Sequence, residues 1–315
     1  MMKKTLLSFV VLLAAMAVQA QTVMKVSVSN PLSVSRNAVP VTIQLDTPVR
    51  SALVVDSKGV ELPCQLDDID SDGRNDCLSF IVPEIGGKKS LSYSVTLSES
   101  GQPRSYQPQV YAEMLLTNKK IKSTNKQDLY ISSLTVDNGT NPYWMLHHHG
   151  PAFENDMVAY RIYFDERQTV DIYGKYKRGL ELRDTQFYPD SDQKAAGYGD
   201  DVLWVGKTFG VGAIRGWNKG SMQMLQDVES RTLAVVARGP LRTIVKVVDK
   251  GWNPRYPDTC TPDERIDMTT YYTLYAERRD CQVDVHFSRD AAGLQLSTGL
   301  VNVKESSEYS DGKGL

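Results

Sequence analysis

Three of the chain's four histidines lie together in residues 143–154. On an extended backbone His147 and His149 point to one face and His148 to the other, so the pair can converge on a metal or a substrate hydroxyl. Glu154 follows closely, and an imidazole beside a carboxylate is the usual equipment for proton transfer at neutral pH. We therefore predict a catalytic site here. A solvated loop of ordinary histidines is the alternative.

The next segment alternates as a strand and adds two further candidate roles. Tyr160 lies on one face as a second candidate for proton transfer, and Arg161 lies on the other. A following strand would bring Lys175 near Arg161, and the two cations would neutralise a uronate carboxylate. Cross-strand pairing of Arg161 with Asp165 or Asp171 is the plain alternative.

A proline-rich loop over residues 251–258 carries a candidate sugar-binding surface. Trp252, Arg255 and Tyr256 combine aromatic faces with a cation, which suits sugar rings that present both C–H faces and hydroxyls. A core position for Trp252 is the alternative. Trp144 would join Trp252 and Tyr256 as a stacking surface if the protein only binds glycans.

An acidic loop before residue 77 is typical of calcium sites, because hard cations prefer clustered oxygen ligands and a sharp glycine turn. The candidate ligands are Asp68, Asp70, Asp72 and Asp76. The twelfth position of the loop is Ser79, so the bidentate acid of an EF-hand is missing. An acidic hairpin turn without calcium is the alternative.

Composition excludes several function classes. The 315 residues are 41% hydrophobic and 23% charged, which is ordinary for a folded protein. Lysine and arginine number 36 against 38 acidic residues, so there is no basic surplus to bind nucleic acid. No P-loop, no G-x-S-x-G elbow, no H-E-x-x-H and no C-x-x-C motif is present. Frequent Gly and Pro with short Val-, Thr- and Tyr-rich runs favour an all-β fold.

The first 20 residues have the pattern of a secretory signal peptide. Lys3 and Lys4 precede an apolar stretch over residues 6–18, and Val18-Gln19-Ala20 is a small-residue cleavage site. We expect cleavage after Ala20 and a periplasmic or secreted protein with no transmembrane segment. An oxidising compartment permits disulfides, and two local bridges, Cys64–Cys77 and Cys260–Cys281, are expected, with buried free thiols as the alternative.

Short alternating runs predict two β-domains. Runs between residues 23 and 97 have the spacing of a meandering sandwich, and the polar stretch 98–108 predicts a linker. We place an N-terminal β-sandwich at residues 21–104 and a larger β-sandwich with the candidate site at residues 105–315. Residues 266–276 and 283–287 predict a large hairpin. Residues 143–147 are predicted to be a strand.

Several phrases resemble a secreted bacterial family catalogued as domain of unknown function 4861. They are His148-His149-Gly150-Pro151-Ala152-Phe153-Glu154, the strand phrase 158–165, Asp171-Ile172-Tyr173-Gly174-Lys175, Asp200-Asp201-Val202-Leu203-Trp204 and Gly239-Pro240-Leu241-Arg242. The Asp-rich phrase 65–80 fits as well. Such proteins tend to be encoded beside pectin-degrading enzymes, so the resemblance implies a role with uronate-containing glycans. Family members continue past this chain's glycine-rich ending, so we expect an incomplete C-terminal sandwich.

These observations predict an exported carbohydrate-active enzyme that acts on a uronate-containing oligosaccharide as a lyase or as an epimerase or mutarotase. By fold analogy the second domain is expected to resemble the supersandwich of sugar mutarotases and some polysaccharide lyases. No cofactor is required for this chemistry, and calcium is the one candidate ion. A non-catalytic glycan-binding module is the alternative. A calcium-stabilised surface protein is the third candidate.

Overall fold

A computed structural model describes residues 21–116, 129–185, 187–307 and 309–310. The predicted signal peptide and the chain's last five residues lie outside these ranges. Short alternating strands dominate the described chain, as the composition predicts, and they form several antiparallel sheets. The predicted all-β sandwich fold is therefore confirmed.

The first seven strands pair only with one another among the described residues. They are β1 (Gln21–Ser29), β2 (Arg36–Gln44), β3 (Ser51–Asp56), β4 (Glu61–Leu62), β5 (Cys64–Asp67), β6 (Cys77–Ile85) and β7 (Ser90–Ser98). A sheet of order β1-β7-β3-β4 faces a sheet of order β2-β6-β5 across a core that includes Val54, Phe80 and Val95. Alternate residues of each strand fill this core, which is why the period-2 pattern identified the strands.

The second sandwich is larger. Its strands and the small sheets beside it are β8 (Val110–Glu113), β9 (Leu115–Leu116), β10 (Leu129–Tyr130), β11 (Ser133–Asp137), β12 (Ala152–Asn155), β13 (Val158–Ile162), β14 (Val170–Gly174), β15 (Asp200–Asp201), β16 (Arg215–Asn218), β17 (Ser221–Gln223), β18 (Ser230–Arg238), β19 (Arg242–Trp252), β20 (Ile266–Tyr275), β21 (Cys281–Phe287) and β22 (Leu296–Ser297). The five-stranded sheet β11-β18-β19-β20-β21 packs on the five-stranded sheet β15-β14-β13-β12-β8. The predicted hairpin corresponds to β20 and β21.

Within the part of the chain that the structure describes, helical structure is confined to short segments. The α-helices are α1 (Leu182–Thr185) and α2 (Ser191–Ala195), and the 3-10 helices are Tyr143–Met145, His147–His149 and Pro262–Glu264. The prediction of a strand over residues 143–147 is therefore wrong. The segment around α1 covers the outer face of β12–β14, where Leu182 and Phe187 are fully buried against Tyr173.

A buried ion pair joins the two sandwiches. Arg242 at the start of β19 donates to Asp67 of β5 at 2.8 Å, and Gln65 accepts from the backbone N–H of Arg242 at 2.9 Å. The predicted linker runs between β7 and β8 without strand structure, and Arg104 and Tyr106 within it bind Glu61 of the first sandwich. The domain boundary near residue 104 itself stays a prediction.

Candidate active site

The histidine segment is a tight, strained turn. His148 and His149 both have positive φ, 60° and 63°, which L-residues adopt at a cost of about 1–3 kcal/mol each. The turn is fixed by the Phe164 N–H, which donates to the His149 carbonyl at 2.8 Å. Gly150 allows the close approach, since a Cβ there would lie 1.9 Å from the Ile162 carbonyl oxygen. The packing around β13 therefore fixes an otherwise unfavourable backbone, as is common at functional sites.

This turn separates the histidines differently from the prediction. His148 is buried, and its Nε2 lies 2.6 Å from Glu113. His147 and His149 are both half-buried, on a 3-10 turn rather than on one face of a strand. The predicted strand geometry for the pair is therefore wrong, and His149 is the histidine that reaches the ionisable cluster described next.

His149 is held as a neutral imidazole. Its ring stacks on Tyr143 with 3.8 Å between centroids, and its Nδ1 lies 3.1 Å from the Tyr143 carbonyl. We assign the proton to Nδ1, because a carbonyl only accepts, and this leaves Nε2 as the basic nitrogen. Burial lowers the pKa of His149, and the charge of Arg161 acts in the same direction. At neutral pH the ring can therefore accept a proton.

Arg161 organises the cluster from β13. Its guanidinium donates to Asp171 directly across on β14 at 2.6 Å, and to Asp201 on β15 at 2.8 Å. It also bonds the hydroxyls of Tyr163 and Tyr188. The structure therefore contains the cross-strand pairing of Arg161 with Asp171, which the sequence analysis gave as the alternative to an anion-binding site. Arg161 is buried and already paired with Asp171 and Asp201, so the structure does not present it together with Lys175 as an open site for a substrate carboxylate.

Asp201 is the unusual carboxylate of this cluster. Burial raises its pKa, and the neighbouring Asp171 charge raises it further. Its Oδ1 is buried without a hydrogen-bond partner among the described residues, while Oδ2 accepts from Arg161. The charge of Arg161 and a hydrogen bond from the Leu203 backbone act in the opposite direction, but burial is the largest cause and the net direction is a raised pKa. The pKa values of His149 and Asp201 are thus shifted in opposite directions, towards a neutral base and a protonated acid.

A second arginine lies beside His149. The Arg167 guanidinium carbon is 4.8 Å from the ring centre of Tyr143 and 4.9 Å from that of Tyr163, and its Nε donates to Asp165 at 2.8 Å. Its side chain is 21% exposed against 2% for Arg161. Arg167 is therefore the cluster's solvent-reachable cation.

Exposed aromatic side chains border the cluster. Trp144 is 65% exposed, and its ring lies edge-on to His149 with 5.0 Å between centroids. Tyr188, which bonds Arg161, is 53% exposed, and Trp204, three residues after Asp201, is 95% exposed. Large aromatic surfaces held in water are typical of ligand contact.

Glu154 and Lys175 are brought together, but away from solvent. The Lys175 ammonium donates to Glu154, and both side chains are almost fully buried. Glu154 also accepts from the backbone N–H groups of Glu181 and Leu182. Burial raises the pKa of Glu154 and Lys175 opposes that rise. The predicted roles need Glu154 as an acid that the substrate can reach and Lys175 as a cation free to bind it. The structure shows neither, because the two residues are buried and neutralise each other.

Tyr160 and the 251–258 loop lie elsewhere. The Tyr160 ring packs into the sandwich core, and its hydroxyl donates to the Arg279 carbonyl at 2.5 Å, so a proton-transfer role at the His149 site is geometrically excluded. Trp252 is 2% exposed and fills a core cluster, the alternative considered for it. Arg255 is exposed and pairs with Glu264, and Tyr256 is half-buried in the same loop. The structure places none of the three in the Arg161 cluster.

The acidic loop gathers three of its four predicted ligands. One carboxylate oxygen each from Asp68, Asp70 and Asp76 lies within 4.8 Å of the others, whereas Asp72 is not part of this group. The carboxylates also accept backbone N–H groups of the same loop, for example Gly73 to Asp68 at 2.8 Å. Calcium binding stays a prediction.

The four cysteines are free thiols, so both predicted disulfides are wrong. Cys64 pairs across the sheet with Phe80, and Cys77 pairs with Asp67, so the hairpin register holds the two thiols apart. Cys281 lies on β21, and burial raises the pKa of its thiol to about 12. None of the four has the lowered thiol pKa of a nucleophile.

The sequence reasoning missed Tyr143, Tyr163, Arg167, Tyr188 and Asp201. Asp201 and Trp204 lie in a phrase that carried the family resemblance, which was the available signal. Tyr163 shares a strand face with Arg161 in the alternating pattern. Tyr143 and Arg167 carried no signal, because their positions depend on the 3-10 turn and on the loop before β14.

Fold and site together define an all-β protein of two sandwiches, with an arginine–carboxylate–tyrosine–histidine cluster at one edge of the larger. Residues 28–314 match the family model described as Domain of unknown function (DUF4861). The chain belongs to this family, and the resemblance seen in the sequence is confirmed at that level. A comparison with curated proteins gave no match. Within the described ranges, no helix is both long and apolar enough to cross a bilayer.

Proposed function

We propose that the protein is an exported carbohydrate-active enzyme that moves a proton on a uronate-containing oligosaccharide, as a lyase or an epimerase. The observation that supports this most is that the pKa values of two titratable groups near Arg161 are shifted in opposite directions. His149 is kept neutral and Asp201 is biased towards its protonated form. Such a pair is suited to general base and general acid catalysis at one centre.

In this proposal Nε2 of His149 removes the proton from the carbon next to the sugar carboxylate. Arg167, which is partly exposed although it pairs with Asp165, is the cation that would stabilise the charge developing on that carboxylate, in place of the buried Arg161. In β-elimination the C–O bond to the leaving sugar breaks, a C=C bond forms, and Asp201 gives its proton to the departing oxygen. In epimerisation Asp201 donates its proton to the same carbon from the opposite face, while His149 keeps the proton that it removed. The first step is common to both reactions.

The exposed aromatics give the substrate a place to lie. Trp144 beside His149, and Tyr188 beside Arg161, offer stacking surfaces for sugar rings on either side of the reacting centre. Arg161 then acts as a positioning residue, because it orients Asp201, Tyr163 and Tyr188 rather than meeting the substrate.

The test is incubation with oligogalacturonides, followed by the absorbance of unsaturated product and by NMR of the sugar protons. We expect new vinylic signals for a lyase, or altered sugar-proton signals for an epimerase. His149→Gln and Asp201→Asn should each reduce kcat by at least about 100-fold. Asp200→Asn is the matched control, because Asp200 pairs with Lys194 at the surface.

Binding without spectral change, with affinity insensitive to His149→Gln, would contradict the enzyme proposal. That outcome would instead support the glycan-binding module. A protein whose melting temperature falls on chelation, and that no sugar stabilises, would support the calcium-stabilised surface protein.

A further inference from the structure

A groove lies between the two sandwiches, on the opposite sheet from the His149 cluster. Its volume is about 990 Å³. One wall is the edge strand β2 of the first sandwich, and the floor is the outer face of β19, β20 and β21. This volume is at the upper end of the range for ligand sites in proteins.

The floor of the groove follows from strand alternation. Val245 and Val247 of β19 point into the sandwich core, whereas Lys246 between them lines the groove. The register places Lys246, Tyr271 and Asp284 side by side across three adjacent strands. This polar row is presented by the sheet itself and not by a loop, so its geometry is rigid.

Tyr271 is the central surface of this row. Its ring lies 5.6 Å from the Lys246 ammonium and 5.7 Å, edge-on, from the ring of His286, the histidine outside the predicted segment. Gln282 donates to Asp284 at 2.8 Å on the same face. An aromatic ring surrounded by donors and acceptors of both signs matches a ligand that offers hydroxyls and C–H faces together.

The charge of the groove disfavours an anionic ligand. Arg242 lines one end, but its charge is neutralised by Asp67. Lys246 is then opposed by Asp284 and by two carboxylates of the acidic loop, Asp70 and Asp76. A polyanion would gain no net attraction here.

We propose that this groove is a second carbohydrate site, which binds a neutral oligosaccharide through its hydroxyls and through stacking on Tyr271. The site is independent of proton transfer at His149. The Arg242–Asp67 pair and the Gln65 hydrogen bonds hold the two walls together before the ligand arrives, which reduces the ordering cost of binding.

The experiment is isothermal titration calorimetry of the full chain with neutral hexasaccharides of β-linked glucose, mannose, galactose and xylose. It is run with a chelator present, so that no cation at the acidic loop adds charge. We expect at least one of the four to bind, and Tyr271→Ala to weaken its Kd about tenfold. His149→Gln should leave this affinity unchanged, so failure at either site can be told from failure at the other.

Tyr176→Ala is the matched control, because Tyr176 is 83% exposed and lies just after β14 on the other sheet. The proposal is overturned if none of the four sugars binds, or if Tyr271→Ala leaves the affinity unchanged. It is also overturned if hexagalacturonate binds more tightly than every neutral sugar and Tyr271→Ala weakens that binding, because the weaker binding would show that the anionic sugar occupies the groove.

Discussion

Removing the Lys175 ammonium should strongly destabilise the second sandwich. The side chain of Lys175 is 1% exposed. Its ammonium donates to Glu154, which is fully buried, and to the carbonyls of Asn155 and Gly179, both at 2.6 Å. Lys175→Met leaves a carboxylate buried without its cation. Breaking one side of such a pair costs about 3–5 kcal/mol, a large part of the 5–15 kcal/mol that usually holds a domain folded.

The pH dependence identifies Glu154 as the source of the cost. Burial already raises the pKa of Glu154 above 4.5, and loss of Lys175 removes a group that lowers it. The folded variant therefore holds a proton that the unfolded chain releases, so its stability is greater at low pH and falls as pH rises through the folded pKa. The destabilisation should be smaller at about pH 5 than at about pH 8.

The assay is urea unfolding followed by tryptophan fluorescence, because all four tryptophans lie in the second sandwich. Lys177→Met is the matched control: Lys177 is exposed, and its contacts are one carbonyl and the Tyr198 ring, so the loss should stay below about 1 kcal/mol. Adding Glu154→Gln to Lys175→Met should recover stability, since the buried charge is removed. If Lys175→Met lowers the free energy of unfolding no more than Lys177→Met does, or by an amount that does not change with pH, the buried charge of Glu154 is not the source of the destabilisation.

Three further predictions follow from the site and the loops. With oligogalacturonide as substrate, kcat/KM should rise with pH with a midpoint below 6.5, because His149 must lose its proton to act as the base. A midpoint above 6.5 would argue against His149. Calcium should raise the melting temperature, and a chelator should reverse that rise. Asp70→Asn should abolish the rise, whereas Asp72→Asn should keep it, because Asp72 is outside the carboxylate cluster. Equal rises in the two variants would show that the cluster does not bind calcium. Thiol titration of the unfolded, unreduced protein should count four free thiols, and a reductant should leave the melting temperature unchanged; a lower count would show a disulfide.

Strand alternation predicted most of the fold because burial on one face imposes period 2 directly on the sequence. The β20–β21 hairpin is an example, with Tyr272 and Leu274 in the core and Tyr271 and Thr273 outside. The same reasoning failed at residues 143–147, where His148 and His149 adopt positive φ that packing against β13 stabilises. The local sequence pattern does not show that contacts from a distant strand stabilise a strained backbone.

The partner of a side chain was harder to predict than the face of the strand on which it lies. The pattern placed Arg161 and Lys175 on strands that pair, but it could not decide whether each cation meets a substrate or a carboxylate. That choice depends on Asp201, which is 40 residues further on, and on the chain around Glu181 that closes over Glu154. The groove could not be predicted for a similar reason. It forms where residues far apart in sequence meet, for example the hydroxyl oxygens of Thr42 and Tyr275, which lie 3.2 Å apart although the residues are 233 positions apart.

The most direct test of the catalytic proposal is ¹⁵N NMR of the histidine side chains, with His149 assigned from the spectrum of His149→Gln. We predict a neutral ring at pH 7 with its proton on Nδ1, a pKa below 6.5, and a changed Nε2 shift when trigalacturonate is added. A ring that is charged at pH 7, or one that the sugar does not perturb, would contradict the assignment of His149 as the base.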